Sequence, residues 1–407
     1  MASAAGMVII GAGMAGARAC INLRAADYAG PITLIGEEVH LPYDRPPLSK
    51  ASITDEAEPS PIWLLDGSIV ASLKVDAKLG VDASAINRAE KTVTLSDGAK
   101  ISYDKLLLAT GAKPRQLSGP GGDHALTLRD HRDTLELRRR FKPGKAVVVI
   151  GGGFIGLEVA SSARKLGCAV TLIEMQPRIL MRGVPEAIAA IVHARHVQAG
   201  VDMIVGTGIA AIAADGVTLS DGRVIKADTI IAGIGAAPEI GLAQGAGLAI
   251  DNGIACSALL QTSDPDIYAA GDCCSFVHEH FGQRRLRLEA WRSAQEQAAT
   301  AVANMLGGQK AHVNIPWFWS DQYDLSLQIA GLGDMGPHTV VRQPAPEALL
   351  LFHLADDGTL MGASGIGPGN SIARDVKLAE MMIAKGMKPA PEALADSALQ
   401  LKTLLKG

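Results

Sequence analysis

The sequence predicts an α/β protein with two similar parallel-sheet units and a smaller α+β domain at the C-terminal end. Three observations support this prediction. A strand pattern leads into a glycine-rich turn and then a helix twice, beginning at residues 7 and 146. The string VTLSDG occurs at residues 93–98 and again at residues 217–222. From residue 316 onward, alternating strand-like runs are followed by one helical run.

Length and composition limit the protein classes to consider. The chain has 407 residues, enough for two to three domains at about 150 residues each. Apolar residues make up 48% and charged residues 20%, as in folded globular proteins, which excludes disorder as the main state. The net charge of −4 includes no basic excess, so nucleic acid is not expected as a partner.

Cysteine content and hydropathy predict the compartment. The five cysteines contain no Cys-x-x-Cys pair and are too few for a disulfide framework. No run of 18 uncharged apolar residues occurs, and residues 1–6 carry no basic segment typical of an export signal. We therefore expect a cytoplasmic protein without a membrane partner.

The first unit opens with a strand at residues 7–10, a glycine turn at residues 11–16 and a helix that ends near Ala26. In a dinucleotide-binding unit the first glycine makes the turn, the second lets a pyrophosphate approach the backbone, and the third lets the helix pack on the strand. Glu37 stands near the end of the next strand, where an acid accepts hydrogen bonds from ribose hydroxyls. Glu38 is the alternative acid.

The second unit repeats this order with a strand at residues 146–150, a glycine turn at residues 151–156 and a helix to near Leu166. Glu174 takes the place of the ribose acid. A carboxylate there repels a 2′-phosphate and favours NADH, whereas the nearby Arg178 leaves NADPH open. Each glycine run alone could be only a tight strand-to-helix turn. Because both runs follow a buried strand, open a helix and precede an acid, we predict two nucleotide-binding turns.

The segment of residues 41–50 is stiff because three prolines fix its backbone. It carries Arg45 and Lys50. A lysine held in this way could stabilise negative charge on a reduced flavin and pair with an acid beside a nicotinamide, for which Glu158 is the candidate. A rigid surface loop is the alternative.

Later segments are assigned more briefly. A short strand at residues 266–270 ends in glycine and acid, and a helix follows from Trp291 to about Leu306. Strand alternation places Trp317 and Trp319 on one face, with core packing as the alternative. Two strands, at residues 325–329 and 348–354, and a helix at residues 371–384 complete the C-terminal domain.

Four histidines and two adjacent cysteines are candidate metal or redox groups. The pairs His193/His196 and His278/His280 lack a third ligand at metal spacing, so we predict no metal and exposed helix and loop positions for them. The adjacent cysteines at residues 273 and 274 predict buried packing rather than redox chemistry.

Taken together, these strings resemble the FAD-dependent, NADH-specific ferredoxin reductases of bacterial oxygenase systems over nearly the whole chain. RPPLSK at residues 45–50 and WFWSDQ at residues 317–322 are the most specific strings. The resemblance implies a glutathione-reductase-like fold with two Rossmann-like dinucleotide-binding domains. An FAD-binding domain would span residues 1–112 and 244–316, an NADH-binding domain residues 113–243, and a C-terminal α+β domain residues 317–407.

The resemblance also implies site residues. Catalytic roles go to Lys50, Glu158 and Trp319, the last at the flavin face. The positions that match FAD contacts are Gly11, Gly13, Ala15, Glu37, Arg45, Lys50, Val81, Arg129, Asp272 and Trp291. The positions that match NADH contacts are Gly152, Ile155, Glu158 and Glu174. The glycine turns add Gly16, Thr110, Gly111 and Gly271 in the first unit and Gly151, Gly153 and Gly156 in the second.

A reductase of this kind accepts a hydride from NADH onto FAD and passes single electrons to a two-iron two-sulfur ferredoxin, which supplies a terminal oxygenase. The run EAWRSAQ at residues 289–295 resembles reductases that serve Rieske ring-hydroxylating oxygenases of aromatic hydrocarbon catabolism. Arg284, Arg285, Arg287 and Arg292 could meet an acidic ferredoxin or form a solvated cationic face.

Two other functions remain open from the sequence. One is a thiol-dependent NADH oxidase or disulfide reductase of similar architecture. The other is a flavoprotein whose main role is redox-controlled binding, as in apoptosis-inducing factor.

Overall fold

The computed structural model describes residues 5–57 and 59–406, which fall into two compact units. Within these ranges, the first unit contains residues 5–44, 61–113 and 237–314, and the second contains residues 45–57, 59–60, 114–236 and 315–406. Residues 45–60 therefore belong to the second unit, and the predicted NADH-binding and C-terminal ranges share that unit almost entirely. The division into three functional domains stays a prediction.

A five-stranded parallel sheet forms the centre of the first unit. Its strands, in spatial order, are Ile267–Ala269, Lys105–Leu108, Met7–Ile10, Ile32–Gly36 and Val75–Leu79. The helices Met14–Ala25 and Trp291–Met305 pack against each other. The short strand predicted near residue 268 thus occupies the sheet edge, and the central strand is buried throughout.

Two three-stranded sheets and two short helices complete the first unit. One sheet is antiparallel, with strands Ala83–Asn87, Thr92–Leu95 and Lys100–Ser102. The other is mixed, with strands Ile254–Cys256, Cys274–His278 and Arg284–Leu286. The helices are Gly67–Ser72 and Gly241–Gly245.

The second unit contains a four-stranded parallel sheet. Its strands, in spatial order, are Val201–Val205, Ala169–Glu174, Ala146–Ile150 and Thr229–Ala232. The helices around it are Ala51–Thr54, His131–Arg140, Phe154–Lys165 and Glu186–Gln198. Apolar side chains of the sheet and helices share one core, which includes Val149, Leu157 and Leu172.

The internal repeat is visible as a second antiparallel sheet, with strands Ile209–Ala213, Gly216–Leu219 and Val224–Lys226. Both VTLSDG strings contribute the middle strand and the following turn of their sheets. The turn glycines, Gly98 and Gly222, have φ angles of 86° and 89°. The structure therefore confirms the duplication that the sequence predicts.

The C-terminal part is α+β, as predicted. Its antiparallel sheet has the spatial order Trp317–Gln322, Leu325–Gly331, Leu360–Pro368, Ala348–Leu354 and His338–Ala345. The helix Ala373–Ala384 packs on this sheet, and the helix Pro391–Ala395 follows.

The remaining regular elements are short. A two-stranded sheet consists of Ala112–Pro114 and Ala236–Pro238. The 3-10 helices are Pro46–Ser49, Gly122–His124, Glu279–Phe281, Gly333–Met335 and Leu401–Lys406. Within the described ranges, no helix combines the length and apolar character needed to cross a membrane.

Candidate functional site

The first glycine turn, residues 11–16, connects the central strand of the first unit to the helix Met14–Ala25. Gly11 has a φ of +115°, and a Cβ there would lie 2.0 Å from the Ala109 carbonyl oxygen. A Cβ on Gly16 would lie 1.9 Å from the Gly11 carbonyl oxygen. The fold itself requires these two glycines.

Gly13 differs from both of these glycines. Its φ is −93°, and a Cβ there would meet no atom within 4 Å. The helix that it precedes has no side-chain cap and no acid in its first turn, so its N-terminal amide groups remain available to an anion. Neither strain nor packing requires this glycine, so the space beside it is open to a close-approaching ligand such as the pyrophosphate that the sequence predicts.

The second glycine turn, residues 151–156, has the same pattern. A Cβ on Gly151 would lie 2.5 Å from the Gly233 carbonyl oxygen, and one on Gly156 would lie 2.1 Å from the Gly151 carbonyl oxygen. A Cβ on Gly153 would have its nearest neighbour 3.8 Å away. The helix Phe154–Lys165 also lacks a side-chain cap. Each unit therefore has an open glycine turn in front of an uncapped helix N-terminus, a geometry that suits an anionic ligand.

Predicted FAD contacts in the first unit lie where its parallel strands end. Gly11, Thr110 and Gly271 follow three neighbouring strands at their carboxyl ends. Val81 follows the edge strand, and its amide donates to the Gly36 carbonyl oxygen across 3.2 Å. Ligands of open α/β sheets bind at this edge.

The two acids after the strand Ile32–Gly36 have different surroundings. Glu38 accepts a hydrogen bond from the Tyr43 hydroxyl across 2.5 Å. The side chain of Glu37 is exposed. This geometry favours Glu37 over Glu38 as the acid for a ribose.

Other predicted residues of the first unit are held by internal hydrogen bonds. The Thr110 hydroxyl donates to the Glu239 carbonyl oxygen across 2.7 Å, and the Gly271 amide donates to Gln297 Oε1 across 2.8 Å. The Trp291 indole donates to Asp44 Oδ1 across 2.5 Å. Ala15 is buried and Asp272 is half-buried, and Gly111 accepts from the Glu239 amide.

A buried carboxylate lies at the centre of the candidate site in the second unit. Glu158 is 5% exposed, and its Oε2 lies 2.9 Å from Lys50 Nζ. Ser49 Oγ donates to Oε2 across 2.5 Å, and Ser320 Oγ donates to Oε1 across 2.5 Å. A buried charge needs such partners, and here one cation and two hydroxyls supply them. The pairing of Lys50 with Glu158 agrees with the sequence prediction.

Ser49 and Ser320 are members of this cluster that the sequence does not predict. Both stand inside the two most specific strings, RPPLSK and WFWSDQ, next to residues that were singled out. Ser49 is also fixed from behind, because the Ser162 hydroxyl donates to its carbonyl oxygen across 2.7 Å. Arg138 binds the carbonyl oxygens of Ile53, Asp55 and Ala57, which explains why residues 45–60 cluster with the second unit.

Glu174 and Arg178 take different positions at the second glycine turn. Glu174 accepts hydrogen bonds from the amides of Gly152 and Gln176, each across 2.7 Å. Arg178 donates to the carbonyl oxygens of Ile179, Leu180 and Val184 across 3.0–3.1 Å. The Arg178 guanidinium, which could otherwise balance the 2′-phosphate of NADPH, is therefore bound to its own loop.

Exposed apolar side chains occur beside this turn. Ile155, Met175 and Met181 are 48%, 67% and 44% exposed. Single exposed apolar side chains are common on protein surfaces, so it is their place beside the glycine turn that makes these three candidates for ligand contact. Of the three, only Ile155 is among the residues that the sequence predicts as NADH contacts.

The aromatic strand Trp317–Gln322 follows the predicted alternation. The rings of Trp317 and Trp319 stack with centroids 5.3 Å apart, while Phe318 packs against Phe154 at 4.3 Å. Both tryptophans are half-buried rather than core residues. The predicted FAD contacts Arg45 and Arg129 lie in the same unit, where the Arg45 guanidinium donates to the Arg129 carbonyl oxygen across 2.7 Å.

The prediction of exposed histidines is wrong for His196 and His278, both of which are fully buried. Each packs through a long-range contact: His196 Nε2 lies 2.8 Å from Gln322 Oε1, and His278 Nε2 lies 3.0 Å from the Asn314 carbonyl oxygen. Burial lowers the pKa of His196 to about 4. Among the described residues, no group of three or more His, Cys, Asp or Glu could hold a metal ion.

The cysteines are all buried and unpaired. Burial raises the pKa of Cys20 to about 12 and that of Cys273 to about 11. A thiolate is therefore disfavoured at these positions near neutral pH.

The arginines considered for a partner surface are bound within the first unit. Arg285 lies 3.0 Å from Asp251, and Arg287 lies 2.6 Å from Glu289. Arg292 pairs with Glu296 across 2.8 Å. These contacts give the three residues structural roles, whatever else they bind.

Comparisons with known proteins place the chain in a family. Residues 6–298 match the family model described as pyridine nucleotide-disulphide oxidoreductase, and residues 317–405 match the model described as reductase C-terminal. The chain is 41% identical over 410 residues to the ferredoxin–NAD(+) reductase component of the anthranilate 1,2-dioxygenase system of Burkholderia cepacia. The match covers 99% of this chain and 100% of that protein.

Putidaredoxin reductase is also similar. The protein from Pseudomonas putida is 35% identical over 414 residues, which cover 98% of this chain and 96% of the relative. The crystal structure of the covalent putidaredoxin reductase–putidaredoxin complex matches with a TM-score of 0.92 at 33% identity. That match covers 100% of this chain and 99% of the other.

Proposed function

This chain belongs to the pyridine nucleotide-disulphide oxidoreductases, and from this premise we propose that it is an NADH:ferredoxin oxidoreductase that carries FAD. The observation that carries the proposal is the match to a ferredoxin–NAD(+) reductase component over essentially the full length of both chains. That relative serves a dioxygenase system, so the partner that we propose is a two-iron two-sulfur ferredoxin that supplies an oxygenase, in the first instance a Rieske ring-hydroxylating one.

FAD fits the first unit. Gly13 leaves a place for a pyrophosphate at the N-terminus of Met14–Ala25, and Glu37 offers a carboxylate for the ribose at the next strand end. The family resemblance adds Asp272 and Trp291 as proposed FAD contacts. A flavin, when bound, takes up an electron pair as hydride and gives up electrons singly, which is the conversion needed between NADH and a ferredoxin.

NADH fits the second glycine turn by the same reasoning. Gly153 leaves room for the pyrophosphate, and Glu174 presents a carboxylate to the ribose 2′-hydroxyl. Because Arg178 is bound to its own loop, a 2′-phosphate would meet the carboxylate without this cation to balance it. The proposed nucleotide is therefore NADH.

Lys50 and Glu158 support the reaction electrostatically. Glu158 holds the Lys50 ammonium in one place, and a fixed cation lowers the energy of negative charge on a reduced cofactor without reorganising. The reaction as proposed converts NADH and two oxidised ferredoxins into NAD⁺, two reduced ferredoxins and one proton.

The thiol-dependent alternative has little support in the structure. A thiol relay needs an accessible thiolate, whereas all five cysteines are buried. Unpaired cysteines are typical of a reducing compartment, and we propose the cytoplasm. We also propose the division into an FAD domain, an NADH domain and a C-terminal domain as stated from the sequence.

The test is NADH-driven reduction of purified ferredoxins by the purified protein. The preparation should be yellow with one FAD per chain, and a two-iron two-sulfur ferredoxin should be reduced catalytically with NADH. A colourless protein that takes up no FAD would overturn the proposal. A flavoprotein that forms a long-lived complex with NAD⁺ and reduces no ferredoxin would point to redox-controlled binding instead.

A further inference from the structure

A line of hydrogen bonds in the second unit leads from a hairpin tip to Glu158. The Tyr323 hydroxyl lies 3.1 Å from His196 Nδ1, and His196 Nε2 lies 2.8 Å from Gln322 Oε1. Gln322 Nε2 donates to Ser320 Oγ across 3.2 Å, and Ser320 Oγ donates to Glu158 Oε1 across 2.5 Å. His196, Gln322, Ser320 and Glu158 are all buried.

The donors in this line all point toward Glu158. Gln322 offers its oxygen to His196 and its amino group to Ser320, so His196 carries its proton on Nε2 and accepts the Tyr323 hydroxyl at Nδ1. Ser320 accepts from Gln322 and therefore directs its own hydrogen to the carboxylate. Burial keeps the pKa of His196 near 4, so the ring stays neutral at neutral pH.

The two oxygens of Glu158 receive their donors from different segments. Lys50 and Ser49 contact Oε2, whereas Ser320 donates to Oε1. Loss of the Ser320 donor would let the carboxylate rotate to satisfy Oε1 elsewhere. Oε2 would move with it, and the Lys50 ammonium would lose its fixed position.

Tyr323 stands at the hairpin tip, in the two-residue turn between the paired residues Gln322 and Leu325. Tyr323 has a φ of +57°, which is unusual for a large side chain. Such a conformation persists only where the surroundings require it. Here the Tyr323 ring packs beneath the Arg195 guanidinium at 4.3 Å and beside the His196 ring at 5.0 Å. The hairpin is thereby attached to the helix Glu186–Gln198.

We propose that Ser320, Gln322 and His196 are positioning residues that hold Glu158, and through it the Lys50 cation, in place for hydride transfer. This inference rests on the proposed function. It gives the polar residues of the strand Trp317–Gln322 a part in the first half-reaction, the reduction of the flavin. This role is separate from the one proposed for Trp319 at the flavin face.

The test compares Ser320→Ala with Ser320→Thr, which keeps the hydroxyl, and with the matched control Ser364→Ala. Ser364 is a buried serine of the same sheet, and its hydroxyl lies 3.4 Å from His353 Nε2. The readouts are the limiting rate of flavin reduction, the apparent Kd for NADH, the flavin midpoint potential and the melting temperature. Gln322→Met, which keeps Ser320, is the second variant if Ser320→Ala fails to fold.

Ser320→Ala should lower the limiting rate about tenfold, the loss expected for one hydrogen bond to a charged group, with less than about a twofold change in the Kd for NADH. The flavin potential should fall, because the Lys50 cation is held less firmly. Ser320→Thr should recover most of the rate, and Ser364→Ala should lower only the melting temperature. Gln322→Met should act in the same direction as Ser320→Ala and by less.

A double substitution separates positioning from general packing. If Ser320 acts through Glu158, adding Ser320→Ala to Glu158→Gln should change the rate by less than about twofold. Effects that multiply, or a Ser320→Ala variant that behaves like Ser364→Ala, would overturn the inference. The same double-substitution cycle can be measured on melting temperatures, which needs no cofactor. The proposed function is tested separately, by ferredoxin reduction with the wild type. A failure of the inference can therefore be distinguished from a failure of the proposed function.

Discussion

The Gly152 amide donates a hydrogen bond to Glu174 Oε2 across 2.7 Å, which joins the second glycine turn to the acid at the next strand end. A Cβ on Gly152 would lie 3.1 Å from the same oxygen and 2.7 Å from Ile179 Cγ2. The carboxylate therefore supports the turn, and we propose that it also sets the charge at the ribose. These tasks can be separated by substitution.

Glu174→Gln removes the charge and keeps an acceptor for Gly152, whereas Glu174→Ala removes both. We expect Glu174→Gln to narrow the preference for NADH over NADPH about tenfold, equivalent to ~1.4 kcal/mol. The affinity for NADH should fall by less than this factor. Glu174→Ala should narrow the preference and also weaken both nucleotides. The measurement is kcat/KM for each nucleotide, with Asp202→Asn on the neighbouring strand as the control. Equal values for both nucleotides in the wild type would contradict the role of Glu174.

Gly13→Ser tests whether the middle glycine serves a ligand. Serine caps helix N-termini well, and its Cβ would meet no protein atom, so the apoprotein should melt no lower than the wild type. FAD content should fall sharply, because the side chain occupies the place of the pyrophosphate. Gly16→Ala is the contrasting variant, since its Cβ would lie 1.9 Å from a carbonyl oxygen and should destabilise the fold. Full FAD content in Gly13→Ser would exclude this role.

Replacement of all five cysteines with alanine or serine should leave NADH oxidation by ferricyanide largely intact in protein that folds. The raised pKa of the Cys20 and Cys273 thiols disfavours the thiolates that a relay would use. FAD content and melting temperature are measured on the same samples. Loss of activity in a folded, FAD-loaded variant would favour the thiol-dependent alternative.

Trp319→Ala should preserve FAD content and slow ferredoxin reduction, while flavin reduction by NADH changes less. The nicotinamide must lie on one flavin face, so electrons leave by another route, and Trp319 is our candidate for a residue on that route. Phe318→Ala, on the opposite face of the strand, is the matched control. A core role would instead lower stability by roughly 3–5 kcal/mol. Stopped-flow measurement of both half-reactions with a melting curve decides between the two.

Stability should fall in mild acid partly because of His312. Burial lowers the pKa of this histidine from 6.5 to about 3, so below pH 6.5 the unfolded chain binds a proton that the folded chain does not. Its contribution is fully present above pH 6.5 and is lost progressively as the pH falls toward 3. Between pH 7.5 and 4.5 we expect a loss of about 2–3 kcal/mol from this group.

His312→Phe keeps an aromatic side chain and removes the titrating group. Denaturant unfolding of both proteins at several pH values measures the difference, in which carboxylates common to both cancel. An identical pH dependence for the two proteins would show that His312 does not contribute.

Strands, turns and helices whose side-chain pattern repeats every few residues could be predicted from the amino-acid order alone. The strand, glycine turn and helix at residues 7–26 and 146–166, the VTLSDG sheets and the shared face of Trp317 and Trp319 are all present as predicted. Each depends on contacts between residues near in the chain, where side-chain alternation and backbone geometry leave few choices.

Which distant residues meet depends on how the elements pack in three dimensions. Ser49, Glu158 and Ser320 converge from three separate segments, and His196 is buried because a hairpin more than a hundred residues away packs on its helix. The choice between Glu37 and Glu38, and the attachment of Arg178 to its own loop, likewise depend on which partner is within reach. A local pattern records whether a residue is polar and where its element begins, but the partner that satisfies a buried polar group is set by how the elements pack.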